Sequence, residues 1–293
     1  MTERVPPHKG IFLLGVGAQK AGTSWLHQQL HKRPDADFGF LKEYHVHDAL
    51  HVPELERFRQ LHVRLGQPRS WIKPRSWRRQ RFLSQPNRYY DYFAWLLQRP
   101  RLGGRRVHLT GDITPSYALL DAEVLLGIRD NFIARNIGVR PVFLMRDPIE
   151  RFISSRRMKL RKQGLRDAAA ETDALRKAVS KLRQCQTLRS NYATTLEALE
   201  ASFGLDHCFI NTFESLFNPD TYGSLCRFLE IPFQEPDWQR KVNVSATDNP
   251  IPEDVLDALG RHQASDLLKT QALVPHLDLA RQWPTSTRWC RNL

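Results

Sequence analysis

The chain has 293 residues, 41% of them hydrophobic, and a formal net charge of +13, which excludes a disordered protein and allows a sizeable buried core. No run approaches the roughly 18 apolar residues of a membrane span, and the apolar stretch Ile11–Val16 is too short for a signal-peptide core. The four cysteines, Cys185, Cys208, Cys226 and Cys290, form no C-x-x-C pair, which argues against a zinc site, a redox motif or a disulfide framework.

In chain order, Ile11–Val16 reads as a buried strand and Thr23–Lys32 as a helix ended by Arg33-Pro34. A strand is expected over Phe38–Leu41 and a helix over Pro53–Leu65. Pro68, Pro74 and Pro86 mark Gln67–Asn87 as an irregular excursion, and a helix follows over Tyr89–Gln98. Val107–Thr110 is a strand, Leu119–Asn136 a helix, Val139–Met145 a strand and Pro148–Gln163 a helix. Asp167–Ser202 reads as one long helix and Cys208–Thr212 as the last strand. Helical segments around Leu216, over Leu225–Leu229 and at about Glu253–Lys269 complete the chain. Strands alternating with helices predict an α/β fold with a central parallel sheet covered on both faces. No linker divides the sequence, so residues 1–293 are expected to form one domain, with an irregular basic insertion at about 66–106. Reduced thiols and a cytoplasmic location are the matching expectation.

The charge is concentrated. Residues Arg64 to Arg106 hold twelve Lys/Arg and a single acid, Asp91. Such a field attracts polyanions, whether nucleic acid, acidic glycan, membrane surface or phosphorylated nucleotide, without choosing among them. The segment Arg69–Phe82 interleaves Trp71, Trp77 and Phe82 with cations, which suits stacking on bases or sugar rings, or a lid packed on the domain.

The most informative segment is Gly15-Val-Gly-Ala-Gln-Lys-Ala-Gly-Thr-Ser-Trp-Leu26. A strand enters a loop with Gly15, Gly17 and Gly22, and the loop opens a helix at Thr23. Small residues let backbone N–H groups approach an anion, and the helix N-terminus adds positive partial charge. A nucleotide triphosphatase loop requires lysine directly after the last glycine. Here Thr23 follows Gly22, and the lysine is Lys20, inside the loop. The arrangement resembles the 5′-phosphosulfate loop, G-x-x-K-[AG]-G-T-[ST], of sulfotransferases that use 3′-phosphoadenosine 5′-phosphosulfate (PAPS).

A second motif lies in Val142-Phe-Leu-Met-Arg-Asp-Pro-Ile-Glu-Arg-Phe-Ile-Ser-Ser155. A buried strand ends in Arg146, and Asp147-Pro148 starts a helix, with proline at a first-turn position where its missing N–H is harmless. A guanidinium at the strand end and the Ser154 hydroxyl two turns into the helix can grip one phosphate together. The spacing is similar to the 3′-phosphate motif, R-D-P-x-x-R-x-x-S, of the same superfamily. Further segments resemble its heparan sulfate and carbohydrate sulfotransferase branch: Leu41-Lys-Glu-Tyr-His45, Gly111-Asp-Ile-Thr-Pro-Ser-Tyr117, and Arg189-Ser-Asn-Tyr192 with Phe213-Glu-Ser-Leu216. The resemblance covers roughly Phe12 to Ile231. Ile113 stands where members of that branch often carry a lysine, and the adenosine-contacting K-G-R-type loop is not recognisable, with Lys241-Val-Asn-Val-Ser245 as the nearest candidate.

The resemblance implies a P-loop-like three-layer fold and a sulfotransferase of a soluble bacterial type. It implies PAPS as cosubstrate, no metal, and a hydroxyl- or amine-bearing acceptor such as an acidic glycan or a small molecule. Gly17, Lys20, Ala21, Gly22, Thr23, Ser24, Trp25, Arg146, Ser154 and Lys241 would contact the nucleotide. Lys20 would neutralise the leaving oxygen, Glu43 would be the base with His45 as the alternative, and Asp112 would orient the acceptor or Lys20. A P-loop kinase is the competing enzyme, but it lacks its lysine here and meets Arg146 where a magnesium-binding Asp is expected. A nucleic-acid-binding module on the basic segment is the competing non-enzyme.

Overall fold

The computed structural model describes residues 8–60, 74–100, 106–164, 167–182, 191–240 and 249–290. Among these, five parallel strands form one sheet: β1 (Ile11–Gly17), β2 (Ala36–Asp37), β3 (Leu109–Ile113), β4 (Gly138–Met145) and β5 (Phe209–Thr212), in the order β2-β3-β1-β4-β5. The central strand β1 is buried along its whole length, as its unbroken apolar run predicts for a strand covered on both faces. It pairs with β3 from Ile11 opposite Leu109 and with β4 from Ile11 opposite Gly138.

From β1 the chain runs through α1 (Thr23–His31) to β2 at one edge. It returns to β3 by way of α2 (His47–His51), a 3-10 turn at Pro53–Arg59, α3 (Pro74–Ser84) and α4 (Asn87–Gln98). After β3 it passes through α5 (Ala122–Ile133) to β4, on the other side of β1. The winding therefore reverses at β1, which opens a crevice beyond the carboxyl ends of β3, β1 and β4, where open α/β sheets take their ligands. The remaining helices are α6 (Pro148–Lys162), α7 (Ala168–Leu182), α8 (Tyr192–Phe203), α9 (Phe213–Leu216), α10 (Pro219–Phe228), α11 (Glu253–Leu273), α12 (Leu279–Gln282) and α13 (Pro284–Thr287). The fold is thus the expected three-layer α/β arrangement.

Aromatic rings fill the main core against β1. Phe12 stacks on Phe132 at 3.9 Å between centroids and meets Phe93 edge-on at 4.9 Å. A second buried cluster joins Ile149, Phe152 and Ile153 of α6 to Leu175 of α7 and Leu259 of α11. It anchors the helix that carries Ser154.

Several expected elements differ. Residues 74–84 are helical rather than irregular, and Phe82 and Leu83 are buried. Residues 67–73 lie outside the described chain. Phe38–Leu41 is not a strand, because β2 ends at Asp37 and Gly39 turns the chain at φ +72°, its N–H bonded to the Asp37 carboxylate at 2.9 Å. Pro53–Arg59 forms a 3-10 turn, and β3 starts later than expected and continues to Ile113. The Asp121 carboxylate caps α5 by accepting from Val124 N, so that helix begins at Ala122 rather than Leu119. The long helix over Asp167–Ser202 is two helices, α7 and α8, with 183–190 outside the described residues. The short helices α2, α12 and α13 carry no periodic pattern that announces them.

Candidate active site

The turn from β1 into α1 is built for an anion. Gly22 sits at the N-cap of α1 with φ +82°, and a Cβ there would come within 2.7 Å of the Leu216 side chain and 3.1 Å of Phe213. Only glycine fits. No side chain caps α1 and no acid occupies its first turn, so the N-terminal N–H groups at Thr23, Ser24 and Trp25 face the cleft uncompensated. Lys20 adopts φ +72° in the same turn. Burial lowers its pKa first, and the charges of Arg161, Arg146, Lys162 and Lys42 lower it further. A polyanion placed among these cations relieves their mutual repulsion.

Arg146 leaves the end of β4 and points across this loop. Its guanidinium donates to the Lys20 carbonyl at 3.4 Å, lies 3.7 Å from Glu150 and rests over the Phe213 ring at 4.7 Å. The backbone on either side is pinned. Tyr192 Oη donates to the Arg146 carbonyl at 2.8 Å. The Asp147 carboxylate caps α6 by accepting from Ile149 N and Glu150 N, and it also accepts from Ser286. Ser154, two turns along α6, lines the same cleft. Asp147 in the R-D-P sequence is therefore a structural cap, while Arg146 lines the cleft.

The opposite wall is the segment after β2. Lys42 Nζ donates to Ser24 Oγ at 2.7 Å and to Glu43 Oε1 at 2.6 Å, which ties the first turn of α1 to Glu43. His45 bridges two carboxylates, with Nε2 3.3 Å from Glu43 Oε2 and Nδ1 2.6 Å from Asp48 Oδ2. Its ring stacks on Phe58 at 4.1 Å, and Ser116 donates to Asp48 from below. Burial opposes charging His45, but the bonds to Asp48 and then Glu43 raise its pKa to about 9. Burial would raise that of Glu43, yet the His45 bond and the Lys42 charge hold it at about 2. At neutral pH the pair is therefore imidazolium and carboxylate.

These walls enclose one cleft of about 860 Å³. Among the described residues, seven Lys/Arg and two carboxylates line it. Of the residues singled out in the sequence, Lys20, Gly22, Thr23, Ser24, Trp25, Glu43, His45, Arg146 and Ser154 come together there. Gly17 and Ala21 shape the loop without forming the wall, and Lys241 and Arg189 lie outside the described residues. Asp112 is not among the residues that line this cleft. It is fully buried beneath the cleft and accepts hydrogen bonds from Thr114 (2.6 Å), Tyr117 (2.8 Å), Tyr89 (2.9 Å) and the Tyr44 N–H (3.3 Å). Burial pushes its pKa up to about 6 against those bonds.

The sequence reading missed Lys42, Asp48, Phe58, Ser116 and the aromatic wall of Phe213, Phe217 and Trp238. Trp25 itself is buried, stacked on Trp238 at 5.9 Å and edge-on to Phe217 at 5.0 Å. Lys42 and Asp48 flank the Glu43–His45 pair in sequence, which is the one signal that could have drawn attention to them. Among the described residues, no group of three or more His, Cys, Asp or Glu is placed to hold a metal ion, and no helix is long and apolar enough to cross a membrane.

Fold and cleft together define a P-loop-like α/β protein with a cationic crevice at its switch point. Its likeness is to sulfotransferase structures. The crystal structure of a sulfotransferase from Alicyclobacillus acidocaldarius matches with a TM-score of 0.58 at 19% sequence identity, covering 96% of this chain and 100% of that one. Two further matches have TM-scores of 0.44 and 0.42. One is the sulfotransferase domain from the Synechococcus PCC 7002 olefin synthase (16% identity, 88% of this chain and 96% of that one). The other is the sulfotransferase domain from the curacin biosynthetic pathway (18% identity, 90% and 98%). No family model and no curated protein matches the sequence.

Proposed function

We propose that the chain is a single-domain sulfotransferase that moves a sulfonate group from PAPS to a hydroxyl or amine of an acidic glycan or small-molecule acceptor. The observation that carries this reading is the convergence of two separate anion-binding segments on one cleft. Lys20 with the uncapped start of α1 forms one, Arg146 with Ser154 forms the other, and Glu43 stands on the facing wall. The donor set fits a nucleotide with phosphate at both ends, and Phe213, Phe217 and Trp238 add apolar lining to the same cleft.

PAPS supplies an activated sulfonate on a good leaving group. Lys20 and the N–H groups of α1 would hold the 5′-phosphosulfate and neutralise charge as it grows on the departing oxygen. Arg146 and Ser154 would hold the 3′-phosphate. Sulfonate transfer resembles phosphoryl transfer in its loose, in-line transition state, so positioning supplies most of the acceleration. In such a state the acceptor oxygen keeps its proton until its bond to sulfur is well advanced, when that proton has become strongly acidic. A carboxylate of low pKa such as Glu43 then suffices as acceptor, while His45, already protonated between two carboxylates, holds Glu43 in place.

Titration calorimetry with adenosine 3′,5′-bisphosphate and with 5′-AMP, both without added metal, tests the nucleotide assignment. The bisphosphate is expected to bind at least tenfold more tightly, the scale of one charge-assisted contact. Equal affinities would reject it.

A further inference from the structure

We propose that Arg79, on the basic helix α3, is a positioning residue that clamps the turn carrying Glu43 and His45 from its outer side. The inference rests on the sulfotransferase reading for its kinetic consequence but not for its geometry. The backbone of this turn is divided between two supports. Its N–H groups face the sheet: Tyr44 N donates to Thr114 Oγ1 at 3.0 Å and Asp112 at 3.3 Å, and His45 N donates to Thr114 Oγ1 at 3.4 Å. The carbonyls of the same two residues face α3, where Arg79 Nε donates to the Tyr44 carbonyl and Nη2 to the His45 carbonyl.

His45 adopts φ +50°, a left-handed conformation that non-glycine residues rarely hold without support. With two successive carbonyls turned to one side, a single planar guanidinium serves both, and a lysine ammonium cannot reproduce that fork. The held turn aims the imidazole at Glu43 and at Asp48 together. The other groups facing this site are Lys42, bonded to Glu43, Ser116, bonded to Asp48, and Phe58, which stacks on His45 and carries Arg57 on its ring at 5.2 Å. Inwardly, α3 buries Phe82 and Leu83 and lays Arg78 over the Phe40 ring at 5.1 Å, and Arg79 is a polar link from this helix to the site. It belongs to neither nucleotide-binding motif.

Arg79→Ala and Arg79→Lys test the clamp through three measurements: calorimetric affinity for adenosine 3′,5′-bisphosphate, single-turnover sulfonate transfer from PAPS, and the ¹⁵N imidazole signals of His45, assigned with His45→Gln. For Arg79→Ala, bisphosphate affinity is expected to stay within twofold while single-turnover transfer falls at least tenfold. The pH midpoint of His45 should move down by one unit or more as its contacts to Glu43 and Asp48 loosen. Arg79→Lys should fall between wild type and Arg79→Ala, and guanidinium added to Arg79→Ala should restore part of the rate. An unchanged His45 titration in Arg79→Ala would overturn the clamp. So would a rate loss that tracks lost bisphosphate affinity and thermal stability, with no rescue by guanidinium. Should wild type itself transfer no sulfonate, the imidazole titration still decides the clamp, so failure of the functional reading is distinguishable from failure of this one.

Discussion

Glu43 and His45 show how neighbouring residues divide chemistry that either side chain alone leaves ambiguous. A glutamate and a histidine two residues apart are both candidate bases in the sequence. In the fold, Asp48 and Glu43 flank the imidazole and keep it charged, while Lys42 and His45 keep Glu43 ionised. Glu43→Gln preserves shape but removes the proton acceptor, so single-turnover transfer to a hydroxyl should slow by roughly 10²–10⁴-fold with bisphosphate affinity unchanged. Near-wild-type transfer by that variant would remove Glu43 from the mechanism. The raised pKa of His45 also makes a stability statement. Its protonated form is favoured by the fold, so the stabilisation is full below 6.5 and is lost as pH rises through about 9. His45→Gln should therefore lose stability in acid and neutral solution, on the order of 1–3 kcal/mol, and progressively less above pH 9. Urea denaturation of both proteins from pH 6 to 10 checks this, and a pH-independent difference would contradict it.

At the scale of elements, β3 decides the site more than its short length suggests. It ends in Asp112-Ile113, and Asp112 collects four hydrogen bonds from Thr114, Tyr117, Tyr89 of α4 and the Tyr44 backbone. A carboxylate at this strand end looks catalytic in the sequence, and in the fold its hydrogen bonds join β3, α4 and the Glu43 turn. Asp112→Ala takes the acceptor from the buried hydroxyls of Tyr89, Tyr117 and Thr114, and should cost about 3 kcal/mol or more. Equilibrium unfolding would register that loss, and a change below about 1 kcal/mol would contradict the assigned role. β4 and α6 work differently. Asp147 caps α6 through Ile149 N and Glu150 N, and Arg146 at the junction lines the cleft.

For the whole molecule, the uneven charge now has a location. Helix α3 bears Arg75, Arg78, Arg79 and Arg81 and no acid, and Arg79 fastens it to the rim of the cleft. Arg75, Arg78 and Arg81 are exposed, as is Trp77, and Trp95 of α4 is exposed beside Arg99, whose guanidinium lies over its ring at 4.9 Å. If the acceptor is an acidic glycan, this face extends its path beyond the cleft. Replacing Arg75, Arg78 and Arg81 together by serine should then raise KM for a polyanionic acceptor at least fivefold and flatten its salt dependence, while a small neutral acceptor is unaffected. Equal effects on both acceptors would show that the basic face does not recognise charge on the acceptor.

The two strand-to-helix turns that reach the cleft were legible in the sequence because each is a contiguous backbone event. An apolar run becomes a buried strand, glycine permits a left-handed turn at Gly22, and Asp147-Pro148 starts a helix at a strand end. Local patterning likewise predicted the parallel sheet and most of its helices. The helix over 74–84 was misread because Pro68, Pro74 and Pro86 signal breaks in sequence, whereas burial of Phe82 and Leu83 is a tertiary event. The supporting half of the site was not legible. Asp112 gathers buried donors beneath the cleft, Asp48, itself bonded by Ser116, keeps His45 charged, and Arg79 bonds the carbonyls of the turn, all through partners distant in the chain or on separate elements. Whether a carboxylate is a base, a cap or a buried acceptor follows from what water it loses and which donors replace that water, and only the packing of segments against one another decides that.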